Sequence, residues 1–188
     1  MSIIICAVAF AVFFGSICFL LLLIVLMVDS VARGHDLSTS KRATDGIIKI
    51  ISEHKNARIF YDLGCARGAL AIRIQKKFPA IKVRAIDNDP IRIFFARTRA
   101  LILRRNIDFI KKNIFDVDLR DADVVYTYLW YDIMPPLQEK LEKELKTGAI
   151  VITNTSKFPA WKPIKIIVTY PKKTNTPDFE TLFVYQKQ

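Results

Sequence analysis

Asp62, Gly64, Ala66 and Gly68 stand at every second position within IFYDLGCARGAL, residues 59–70. An acidic side chain followed by evenly spaced small residues lets a backbone bend sharply after an apolar run. It also brings main-chain N–H groups close to a ligand. Asp87, in VRAIDNDP, ends the next apolar run, where a carboxylate commonly holds ribose hydroxyls in doubly wound sheets. The dinucleotide fingerprint spaces its glycines G-x-G-x-x-G/A, whereas the pattern from Asp62 to Gly68 is D-x-G-x-A-x-G. An early carboxylate repels a pyrophosphate and suits a cationic ammonium group. S-adenosylmethionine is such a ligand.

Asn113, in KKNIFD, follows a third apolar run, and as a lone Asn at a strand end it can cap the next turn. Tyr126, Tyr128, Trp130 and Tyr131 follow one another after a fourth run, with Tyr126 and Tyr128 on one face by alternation. Either they pack against helices or they form an aromatic collar for an amine. Asp132 reads as a solvated carboxylate, with attraction of a cationic acceptor as the alternative. Cys65 reads as a small packing residue. The three cysteines, Cys6, Cys18 and Cys65, have no metal-like spacing, and no metal is expected. His35 and His54 are isolated.

These residues need a scaffold, and the apolar runs supply one. Strands are expected near 57–62, 82–87, 107–112, 123–128, 148–153, 164–170 and 179–186. Helices are expected over ATDGIIKIISEH, RGALAIRIQKKF, PIRIFFARTRALILRR, which Pro90 suits to a first turn, and MPPLQEKLEKELKTG, with a glycine stop. The alternation predicts an α/β domain over 41–188: a Rossmann-like, doubly wound, mostly parallel seven-stranded sheet with a C-terminal antiparallel hairpin.

Ahead of the domain, residues 3–28 carry no charge. As a helix they reach about 39 Å, enough to cross the ~30 Å hydrocarbon core with tilt. Residues 1–29 are therefore expected to be an uncleaved transmembrane anchor, and 30–40 a polar linker. The formal charge of +11, from 29 Lys and Arg against 18 Asp and Glu, lies entirely beyond residue 28. Arg33, Lys41 and Arg42 follow the span and no charged side chain precedes it. The positive-inside rule then gives a single-pass membrane protein with the domain on the cytoplasmic side.

The Asp62–Gly68 motif resembles the first motif of the class I, seven-strand S-adenosylmethionine-dependent methyltransferases. The resemblance makes Asp87 the ribose partner and puts Asn113 near the adenine amino group, with Cys65, Asn88 and Ile114 beside them. Ala66 stands where a Gly is usual and Asn113 where an acid is frequent. MPPLQEKLEKEL, FPAW at 158–161 and the apolar N-terminus together resemble the membrane-anchored lysine methyltransferases of the ATP synthase c-subunit and adenine nucleotide translocase type, over roughly residues 40–170. That resemblance implies methyl transfer to a lysine of a membrane or membrane-associated protein. Tyr128, Trp130, Phe158 and Trp161 are then candidates for the acceptor site. An RNA or small-molecule acceptor is the alternative, nucleic acid coming second because YTYLWYD at 126–132 lacks the N/D-P-P-Y signature of base-amino enzymes. A non-catalytic binding module is the remaining one.

Overall fold

The computed structural model describes residues 2–32, 38–170 and 180–188. Residues 33–37 of the expected linker, Arg33 and His35 among them, lie outside the described residues, as does Phe179 at the start of the last expected strand. The chain divides into two compact units, Met1–Leu37 and Ser38–Gln188.

The described residues of the first unit form the helix α1 (Ser2–Ala32). Its stretch Ile4–Val25 is long and apolar enough to cross a membrane. Cys6 and Cys18 are exposed on it.

The second unit begins with α2 (Lys41–Glu53), whose N-cap Ser40 accepts from the Ala43 N–H at 3.1 Å. This helix buries Ile47, Ile50 and Ile51, with Ile48 half-buried beside them. The remaining elements are β1 (Ile59–Leu63), α3 (Ala69–Lys77), β2 (Lys82–Asp87), α4 (Pro90–Ile102), β3 (Asp108–Lys111), β4 (Val124–Thr127), α5 (Met134–Glu144), β5 (Ile150–Asn154), β6 (Lys165–Val168) and β7 (Thr181–Gln186). One seven-stranded sheet runs β3-β2-β1-β4-β5-β7-β6. Strands β1 to β5 pair in parallel, and β7 pairs antiparallel with both β5 and β6. The expected C-terminal hairpin is present, and β7 also inserts between β5 and β6. Strand order reverses between β1 and β4, the switch point at which open α/β sheets bind ligands.

Phe60, Val83, Val124, Ile150 and Val184 form one sheet face with the inner sides of α2, α3 and α4. The opposite face, with Tyr61, Val125, Val151 and Tyr185, is covered by α5 and by irregular chain around Val117–Ala122 and Phe158. Pro90 opens α4 as expected, behind the N-cap Asp89. The expected glycine stop of α5 is corrected. The helix ends at Glu144 because Leu145 is already extended (ψ 139), and Gly148 (φ 87) serves the turn before β5.

Candidate cofactor and acceptor site

The loop from β1 to α3 has positive φ at all three small residues: Gly64 at 82°, Ala66 at 47° and Gly68 at 70°. Their spacing thus reflects a backbone requirement, met at Ala66 against the left-handed penalty on a Cβ. Hydrogen bonds fix the turn. The Gly64 and Cys65 N–H groups both donate to the Ile86 carbonyl at 2.9 Å, and the Gly68 N–H donates to the Cys65 carbonyl at 2.8 Å. A Cβ at Gly68 would stand 2.7 Å from the Phe109 ring, so the close helix–sheet approach depends on that glycine.

Asp87, at the end of β2, braces this loop. Its Oδ2 accepts from the Ala66 N–H at 2.9 Å and its Oδ1 from the Asp89 N–H at 3.0 Å. Carboxylate oxygens have further lone pairs, so this brace leaves capacity to accept from hydroxyls. Asn88 is exposed beside it.

Asp62 is 3% exposed, and its Oδ2 has no hydrogen-bond partner among the described residues. Burial pushes its carboxyl up to about 7; the charge of Asp87 adds to the rise, and the Ala71 N–H opposes it. A buried carboxylate oxygen without a donor suits a cationic ligand group. The positive-φ loop, the Asp87 brace and this orphaned oxygen therefore fit S-adenosylmethionine, whose amino acid end carries an ammonium. Cys65 is buried beside them, and burial pushes its thiol strongly upward, as befits a packing residue.

The sequence leaves Asn113 between an adenine contact and a cap, and capping is what its side chain does here. Oδ1 accepts from the Phe115 N–H at 3.1 Å, opening the short 3-10 turn Ile114–Asp116. Ile114 is half-buried against the α5-side cluster.

The aromatic candidates fall into separate groups. Tyr126 and Tyr128 do share a face. Tyr126 is fully buried, its hydroxyl 2.7 Å from Thr39 Oγ1 and accepting from Asn154 Nδ2 at 3.3 Å. Tyr128 is half-buried, and Trp130, Tyr131 and Asp132 are exposed. Phe158 and Trp161 belong to the other face of the sheet. The Phe158 ring is buried 5.0 Å from Tyr185, with Trp161 edge-on at 5.4 Å. Gln138 of α5 fixes that segment by accepting from the Ala160 and Trp161 N–H groups. Phe158 is thus a core side chain, its N–H and ring both engaged by Tyr185.

Sequence reasoning missed Glu180. It is 1% exposed; Oε1 accepts from the Ser40 N–H at 2.8 Å and from Asn154 Nδ2 at 3.4 Å, and Oε2 has no partner among the described residues. In sequence it is one acid in a polar stretch, and its bond to Ser40 spans 140 positions. No local pattern announces it.

Comparison with known proteins agrees with this geometry. Residues 62–165 match the model of the ANTKMT methyltransferase domain. A protein-lysine N-methyltransferase of Saccharolobus islandicus (strain REY15A) is 32% identical over 111 residues, 58% of this chain and 69% of that protein. The lysine N-methyltransferase of the ATP synthase c-subunit from Rattus norvegicus is 26% identical over 127 residues, and the match spans 66% of this chain but only 56% of that relative. Among solved structures, an RNA methyltransferase from Salinibacter ruber in complex with S-adenosyl-L-homocysteine superposes with a TM-score of 0.69 at 21% identity, covering 80% of this chain and 93% of that one. That likeness speaks for the fold.

Proposed function

The chain belongs to the ANTKMT methyltransferase domain family, and on that premise we propose that it transfers a methyl group from S-adenosylmethionine to a lysine side chain of a membrane or membrane-associated protein. The observation that carries the cofactor half is the buried Asp62 oxygen without a donor beneath a loop of three positive-φ residues. The lysine half is supported by the Saccharolobus islandicus and Rattus norvegicus relatives, both lysine N-methyltransferases.

When bound, S-adenosylmethionine supplies the sulfonium-activated methyl group. In this reading Asp62 holds the cofactor's ammonium and Asp87 its ribose hydroxyls. Gly64, Cys65, Ala66 and Gly68 offer backbone in close approach, and Asn88, Asn113 and Ile114 lie toward the adenine. The acceptor amine must arrive without its proton, and its reference pKa is about 10.4. Burial against Tyr128 and Trp130 disfavours the ammonium and aligns the amine, so positioning and desolvation carry the step. Trp161 and Phe158 stiffen the wall behind. The helix α1 anchors the chain in a bilayer in a single pass, with the charges of Arg33, Lys41 and Arg42 favouring a cytoplasmic domain.

Full-length chain incubated with methyl-labelled S-adenosylmethionine and native membranes tests this. The expected result is label in a membrane protein, recovered as methyl-lysine after hydrolysis. Label recovered in RNA would replace the acceptor assignment, and failure to bind S-adenosylhomocysteine in calorimetry would leave a binding module in place of an enzyme.

A further inference from the structure

We infer that the outer face of α4 is a membrane-contact surface of the folded domain, seating it on an anionic bilayer. Ile93, Ala96 and Ala100 bury the inner side of this helix against the sheet. Its outer side leaves large apolar groups in the open: Phe94 is 63% exposed, Leu101 78% and Ile102 74%. Phe94, Thr98 and Leu101 follow the i, i+4, i+7 spacing of one stripe. Ile102 and Leu103 continue the apolar surface past the last turn.

The charges around that stripe have one sign. Arg97, Arg99 and Arg104 are exposed, and residues 90–107 contain no Asp or Glu. The next acid, Asp108, is paired with Lys82 at 3.3 Å and lies 3.9 Å from Arg84. Arg97 is partly occupied, donating to the Phe109 carbonyl at 2.7 Å.

The combination selects the partner. A nucleic-acid backbone would match the guanidinium groups but leave Phe94, Leu101 and Ile102 in water. An apolar protein groove would cover those side chains but not balance several unopposed cations. An anionic bilayer takes both, with cations at the headgroups and apolar side chains at the acyl boundary. The chain also carries, in Ile4–Val25, a helix long and apolar enough to cross a membrane. The inference concerns α4 alone and does not rest on the methyl-transfer reading.

The test reconstitutes the full-length chain in nanodiscs of phosphatidylcholine, in nanodiscs that also contain phosphatidylserine, and in detergent. Hydroxyl-radical labelling is then read residue by residue. Labelling of Phe94, Leu101 and Ile102 is expected to fall by at least about threefold in the phosphatidylserine discs relative to both other states, as lipid covers charged and apolar groups together. Ile164 and Ile166, exposed apolar residues elsewhere, should not change. The double variant Arg99→Glu/Arg104→Glu should lose the lipid discrimination while keeping its calorimetric affinity for S-adenosylhomocysteine. Equal labelling in all three states overturns the inference. So does equal protection in detergent, which would indicate a second copy of the chain, or protection that appears only when RNA is added.

Discussion

Asp62 combines its proposed binding role with a cost to the fold. A carboxyl ionises near pH 4 in an unfolded chain, whereas burial raises this one to about 7 in the folded state. Between those values the unfolded chain releases a proton that the folded chain keeps. The stability linked to this group is therefore full below about pH 4 and is lost as pH rises through about 7, by up to about 4 kcal/mol. Cation binding runs the other way, because only the ionised form attracts an ammonium. Asp62→Asn should weaken S-adenosylhomocysteine binding at pH 8 by at least tenfold, about 1.4 kcal/mol. The same variant without ligand should melt at least ~3 °C higher than the parent at pH 8, with the gap closing at pH 5. Calorimetry and thermal melts at both pH values check this; a lower melting temperature at both would mean that the buried charge stabilises the fold.

At the scale of elements, the β1–α3 loop shows why two glycines of similar φ are not equivalent. A methyl at Gly64 would meet the flexible end of Leu129 at 2.7 Å, whereas at Gly68 it would meet the Phe109 ring at 2.7 Å and Ala96 Cβ at 3.1 Å. A leucine tip can rotate away, but a ring wedged between α4 and β3 cannot. Gly64→Ala is expected to cost about 1–2 kcal/mol, mainly the left-handed penalty, and Gly68→Ala about 3 kcal/mol or more through added overpacking. Urea unfolding of both variants measures the difference. Equal costs would show that backbone strain alone sets the penalty and that the α3 approach is loose.

For the whole molecule, the proposed anchor bears on substrate choice. Such an anchor would keep the domain near the bilayer, so that a lysine at the surface of an embedded protein would meet it at high effective concentration and a freely diffusing one would not. Removing residues 1–29 should cut methylation of a membrane-embedded acceptor at least about tenfold while leaving a detergent-solubilised one within about twofold. Label transfer to both forms is the measurement. An equal fall in both would mean that the N-terminal helix supports folding, and the proximity argument would fail.

Much of the architecture was legible because its causes are local. Apolar runs bounded by turn residues placed all seven strands to within a few positions, and the acidic lead with three small residues located a loop whose φ values require smallness. Asp87 was recognisable because strand ends in doubly wound sheets have a fixed place relative to that loop. What only the tertiary structure decided depends on chain segments distant in sequence. It sent Phe158 and Trp161 to the face opposite Tyr128 and joined Glu180 to Ser40 and Asn154. A residue's type states which bonds it can make, but burial and long-range hydrogen bonds choose among them, and those follow from how the sheet is assembled rather than from spacing along the chain.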